Sequence, residues 1–180
     1  AQEGKLEDAR SAYGEAIAAN PRDPRAMAGL GVLDLVKGNH GRAVEWFTSA
    51  LETDDSDATA LCGMGLARKA GGGTGEAFGW FCRALDADPV NVTALHELVK
   101  AAHELGRLEE AERYLSTYLQ YKPSDPHILF SLSGVLYKAG KFEGASDTIE
   151  KLRLFSPMYD GAAELEERIV MEGAGVRSSA

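Results

Sequence analysis

Residues 25–55 read RAMAGLGVLDLVKGNHGRAVEWFTSALETDD. In the first half Met27, Leu30, Gly31 and Leu33 keep the three-to-four residue stride of one helical face, and Gly38 then breaks it. A second helical stretch follows, carrying Ala43 and Phe47. The segment is a helix, a tight turn and a second helix. Moving along the chain by 34 residues reproduces it: Ala43 recurs as Ala9, Ala77, Ala111 and Ala145, and Gly38 as Gly4, Gly72, Gly106 and Gly140. Phe47 belongs to the series Tyr13, Phe47, Phe81, Leu115 and Ile149, and Pro21, Pro89, Pro123 and Pro157 close the second helices, with Asp55 in the remaining place. A fixed period of this size marks stacked supersecondary units rather than one undivided core. The small Ala lets two helices approach, and Gly supplies the positive φ that ends a helix tightly.

With the first helix of each repeat called A and the second B, the pattern predicts B helices over 5–19, 40–53, 74–87, 108–121 and 142–155. The A helices are predicted over 25–37, 58–70, 92–105 and 126–139, and a last helix over about 160–172. Residues 25–55 and PHILFSLSGVLYKAGKFEGASDTIEKLRLFSP at 126–157 resemble the tetratricopeptide repeat family, and the resemblance covers nearly the whole chain. It implies an all-α, right-handed superhelical stack of antiparallel helix hairpins with a C-terminal capping helix. The expected organisation is a repeat array over 1–157, divided as a partial first repeat 1–23 and then 24–57, 58–91, 92–125 and 126–157. A capping helix over 158–172 and a disordered tail over 173–180 complete it. Val99 and Ser133 depart from the small residue that Gly31 and Gly65 supply.

The opening AQEGKLEDA reads as the tail of an A helix whose body is absent, which makes the chain a fragment or a processed product. The helix after it is then expected to expose Tyr13 and Ile17 and to contact either more of a parent protein or another copy of itself. At the other end Ala162, Ala163, Leu165 and Ile169 are expected to cover the last B helix, with Glu164, Glu166, Glu167 and Arg168 facing water.

The 180 residues carry a net charge of -9, which repels a nucleic-acid backbone in the absence of a basic patch, so no nucleic-acid partner is expected. No apolar run is long enough to insert in a membrane, nothing resembles a secretion signal, and Cys62 and Cys82 make no disulfide framework. A cytoplasmic location is expected.

The resemblance also implies that the A helices line a concave groove, at the second, fifth, ninth, twelfth and thirteenth positions of each repeat. These are Arg25, Ala28, Val32, Leu35 and Val36, then Thr59, Cys62, Leu66, Lys69 and Ala70. The later repeats place Thr93, His96, Lys100, His103 and Glu104, then His127, Phe130, Gly134, Tyr137 and Lys138. The groove is expected to run from small and apolar to basic and aromatic, which suits a peptide with an apolar anchor and an acidic or polar part. The family's two-carboxylate clamp is absent, because its places hold Ala28, Val32, Gly63, Thr93 and Glu97, or in the alternative frame Cys62, Leu66, Glu97, His127 and Ser131. The asparagine ladder of its glycosyltransferase relatives is absent too, with Gly29, Gly63, Glu97 and Ser131 at the sixth positions.

Other chemistry fares poorly. His96 and His103 lie seven residues apart on one helix, roughly 10 Å by its rise, too far to share a metal without further ligands. AGGGTGEAF joins two helices and lacks the GK[ST] of a phosphate loop. Trp46, Trp80 and Tyr114 recur in the B helices and read as inter-repeat packing, or as a convex binding strip. No nucleophile, base and acid converge, so no enzyme activity, cofactor or metal is expected. The expected function is a protein-protein interaction scaffold binding a peptide or protein segment. The alternative is the targeting or regulatory arm of a larger enzyme (a transferase or kinase) or of a secretion or pilus-assembly machine.

Overall fold

Asp23, Asp57, Asn91 and Asp125, again 34 residues apart, decide where four helices begin. Their side chains accept hydrogen bonds from the backbone N–H groups of Ala26 (3.2 Å), Ala60 (2.8 Å), Ala94 (3.0 Å) and Ile128 (3.3 Å), which a helix start otherwise leaves unpaired. Pro24 and Pro126 follow two of these caps, where the missing N–H costs nothing. The computed structural model describes residues 2–177, with side chains over 4–174. Among the described residues the secondary structure is ten helices: α1 Gln2–Ala19, α2 Pro24–Val36, α3 His40–Thr53, α4 Ala58–Ala70 and α5 Thr74–Ala87, then α6 Val92–Leu105, α7 Leu108–Tyr121, α8 Pro126–Lys138, α9 Phe142–Phe155 and α10 Ala162–Arg177. The chain is an all-α stack of repeated helices. It packs as two units, residues 1–101 and 102–180, with the boundary inside α6.

In the N-terminal unit the α2–α3 and α4–α5 hairpins are held by aromatic rings seated on glycine. Phe47 is fully buried, and a Cβ added at Gly31 or Gly63 would stand 2.5 or 2.2 Å from its ring. Phe81 sits likewise on Gly65, and Tyr13 on Gly29. Burying one such ring contributes about 1.5–3 kcal/mol. Trp46, Trp80 and Ile17 pack around this core, half-buried.

At the end of α2 the Asp34 side chain has no exposure and accepts hydrogen bonds from Arg10 Nη2 (2.9 Å) and Asn39 Nδ2 (3.2 Å). Burial pushes its carboxyl upward, but the Asn39 and Arg10 bonds outweigh burial and hold it below the usual carboxylate range. Because Arg10 belongs to α1, this pair ties α1 to α2.

Two terminal expectations are corrected. α1 is one continuous helix from Gln2, so the turn expected at Gly4 is not made: Gly4 lies inside α1 without the positive φ of Gly38 (76°). Tyr13 and Ile17 are half-buried against the N-terminal core rather than open.

In the C-terminal unit, α7 to α10 enclose Leu115, Tyr118, Leu129, Ile149 and Leu152. The Tyr118 hydroxyl donates to Asp125 Oδ2 (2.8 Å), and burial followed by this carboxylate pushes the phenol up to about 12. Ser133, in a position held by glycine in two earlier repeats, donates Oγ to the Ala145 carbonyl (2.8 Å), so its hydroxyl replaces a ring seat with a hydrogen bond. Gly161 takes φ 77° and resets the chain for α10, which starts at Ala162 rather than 158 and runs past 172 to Arg177. Residues 173–177 are therefore helical, not a tail, and 178–180 lie outside the described residues. Gly173 favours the continuation, because a Cβ there would stand 3.2 Å from the Phe142 Cβ. α10 buries Ala162 and Ile169, but Ala163 is exposed and Leu165 only half-buried, so it shields α9 on a narrower face than expected.

Candidate functional site

Small residues on the A helices of the N-terminal unit leave a trough. One part, of about 340 Å³, is lined by Val32, Leu35, Val36, Cys62, Leu66 and Thr93 among others. A neighbouring part of about 460 Å³ is lined by Tyr13, Arg25, Ala28, Asp57 and Ala58, and the two share Val32 and Thr59. The trough therefore runs from Arg25 to Leu66. Val32 and Val36 are 38% and 63% exposed and form its accessible wall. Ala28 and Cys62, expected as contact residues, are buried and supply its floor. Burial, and then the negative charge of Glu97, pushes the Cys62 thiol up to about 11, so at neutral pH it is a protonated apolar lining group and not a nucleophile.

Beside the trough the Glu97 carboxylate accepts from Lys69 Nζ (2.8 Å) and Lys100 Nζ (3.0 Å). Burial acts against ionisation of Glu97, but these lysines more than offset it and keep its carboxyl below the usual range. Lys69 and Lys100, expected as open cations, are thus shared by a single carboxylate, and the three groups leave one net positive charge. By sequence Glu97 is a mismatch both to the clamp and to the asparagine ladder, and its periodic place gave no sign of the two lysines that converge on it. His96 and Arg25 are exposed.

In the C-terminal unit the expected aromatic surface is largely covered by the chain itself. His127 Nδ1 and the Tyr159 hydroxyl are 2.8 Å apart, and the Phe130 and Tyr159 rings lie 5.1 Å apart at 39°. Tyr137 is buried: its hydroxyl donates to Glu172 Oε1 and accepts from Arg168 Nη2 (3.1 Å), whose guanidinium lies over the ring. These contacts remove Tyr137 from the candidate surface and leave Phe130 half-buried, because α10 and the turn before it pack on α8 and α9. Tyr159 stands 34 residues after the cap residue Asp125, where the earlier repeats hold only Asp or Asn, so the spacing gave no sign of a ring that would cover Phe130. His103 and Lys138 stay exposed; partial burial, then the charge of Lys138, holds His103 below the usual imidazole range.

The remaining motifs are structural. Gly73 N–H donates to the Arg68 carbonyl (3.0 Å), so the glycine run closes α4 instead of cradling an anion. Arg83 covers the Trp80 ring and Arg113 the Tyr114 ring. Among the described residues no three metal-binding side chains gather, and no helix is long and apolar enough to cross a membrane.

The tetratricopeptide repeat profile matches residues 1–58 and again 75–129. None of the curated proteins matches the chain significantly. Among solved structures the chain is similar to YrrB, described as a TPR protein with an unusual peptide-binding site, at 23% identity over 92% of this chain and 86% of that one, with a TM-score of 0.76. It is also similar to pilF of Pseudomonas aeruginosa at 20% identity (99% and 82% covered, TM-score 0.71) and to the MamA protein at 19% identity (87% and 85% covered, TM-score 0.65). At these identities the likeness is one of fold.

Proposed function

We propose, since this chain belongs to the tetratricopeptide repeat family, that it is a protein-protein interaction scaffold whose N-terminal trough holds a peptide segment. The observation that carries this reading is the trough itself: Val32, Val36 and Leu66 line an open apolar channel on helices already fixed by Phe47 and Phe81, so the host orders little on binding. Lys69, Glu97 and Lys100 beside it leave a surplus positive charge in an acidic protein. The segment is extended or helical, with a branched apolar anchor over Val32 and Leu66 and an acidic residue toward Lys100. That YrrB is described with a peptide-binding site supports a peptide as the class of ligand, though not its sequence.

The test is selection of a displayed 12-residue peptide library against the intact chain, followed by rebinding to Val32→Asp and Lys100→Glu. Selected peptides should share an apolar residue followed by Asp or Glu, lose binding to Val32→Asp and weaken with salt on the unaltered protein. Peptides that bind Val32→Asp equally well would remove the trough from the function.

A further inference from the structure

We propose that the cleft between α9 and α10 is a second docking site, the seat of an amphipathic helix that carries lysine or arginine along its flanks and belongs to a partner protein. The shape follows from the repeat. In α8 the face made by Leu129, Ser133 and Leu136 lies under α9, at 1%, 0% and 7% exposure. Thirty-four residues later the same face of α10 is Ala163, Glu167 and Val170; no helix covers it among the described residues, and Val170 is 60% exposed. Between this face and α9 runs a cleft of about 600 Å³ lined by Phe142, Ser146, Ile169, Val170 and Ala174 among others. A second hollow of about 500 Å³ shares Phe142, Glu143 and Gly173 with it. A helix laid there would meet α9 and α10 as α9 meets α8.

Charge chooses the occupant. Glu143 and Asp147 line the cleft one turn apart on α9, and Glu167 stands one turn before Val170 on α10. None of the three has an ion-pair partner among the described residues, whereas nearby Glu112 and Glu166 are paired with Lys141 and Arg153. A second copy of α1, which has the same Ala9 and Tyr13 spacing as the B helices, would bring Glu7, Asp8 and Glu15 against only Lys5 and Arg10, and Glu167 occupies the place where a small residue would have to seat Tyr13. Like charges face each other in that pairing, so a basic helix is the complementary ligand.

This site does not depend on the N-terminal trough, and its test separates them. The probe is a fluorescein-labelled 16-residue helical peptide with a leucine stripe at three-to-four spacing and lysines on both flanks, titrated by anisotropy into the intact chain; a glutamate-flanked version is the control. Saturable binding of the lysine peptide alone is expected, weakened roughly tenfold or more by Val170→Asp and by the Glu143→Lys, Asp147→Lys pair, and unchanged in Val32→Asp. Circular dichroism confirms that the variants stay helical. Absence of binding, equal binding of the two peptides, loss of binding in Val32→Asp, or a chain that self-associates in sedimentation until Val170→Asp releases it would each overturn the proposal.

Discussion

The N-terminal A helices and α8 present the same repeat positions, but in the first region those positions border open space and in the second the chain fills them. Val32, Cys62 and Leu66 form walls and floor of a trough. Phe130, in the repeat position of Ala28 and Cys62, lies against Tyr159, and Tyr137, in the repeat position of Leu35, lies against Arg168 and Glu172. Side-chain size decides the difference. Alanine and cysteine in the N-terminal unit cannot reach across a gap, whereas Phe130 can, and a ring that leaves water for a neighbouring ring gains about 0.5–1.5 kcal/mol beyond burial; Leu35 lacks the hydroxyl through which Tyr137 joins Glu172 and Arg168. A repeat position therefore predicts where a side chain stands, not whether a partner finds it free.

The comparison breaks most completely if the trough loses its foundation. Phe47→Ala should cost about 3–5 kcal/mol in urea unfolding, as expected for emptying a buried aromatic site. Gly63→Ala, which drives a Cβ into the same ring from the other side, should cost about 1–3 kcal/mol by overpacking. If Gly63→Ala proved neutral, the ring would not be fixed and the trough would not be preformed.

Next in size is the buried carboxylate that ties α1 to α2. Asp34→Asn should cost about 2 kcal/mol at neutral pH, less than a fully buried pair because Arg10 is a quarter exposed. The folded carboxyl titrates below its ordinary value, so its contribution is complete above the unfolded pKa near 3.9 and disappears as pH falls through the lower folded value. Unfolding curves of the two proteins between pH 3 and 7 should therefore converge in acid. A constant gap would show that Asp34 acts by packing and not by charge.

In the second region Tyr159→Ala should uncover Phe130 and His127 at a cost of about 1 kcal/mol, the scale of one aromatic pair. An apolar dye should then gain fluorescence, turning the filled surface into one resembling the trough. The smallest effect is that of Lys100→Ala, about 0.5 kcal/mol or less in stability, since Lys69 still holds Glu97 and Lys100 is half-exposed. Its consequence belongs to binding: peptides selected on the trough should lose salt dependence.

The interior helices, from α2 to α9, begin and end within one residue of their expected bounds; an Asp or Asn cap starts each of α2, α4, α6 and α8, and a positive-φ glycine such as Gly38 follows each of them and turns the chain into the next helix. The terminal helices departed from expectation for the same reason in reverse. α1 has no turn at Gly4, and α10 passes through Gly173 because that glycine answers to Phe142 rather than to the backbone of its own helix.

The amino-acid sequence by itself determined the period, the two helices of each repeat, the family and the residues that seat one helix on the next, since all of these follow from spacing along the chain and from the conformational needs of single residues. Only the tertiary structure decided which of the candidate contacts are open. It buried Ala28, Cys62 and Tyr137, joined Lys69 and Lys100 through Glu97, laid Tyr159 on Phe130 and left Val170 bare. Those outcomes depend on which side chains from distant parts of the chain arrive at the same place, and repeat spacing carries no record of that.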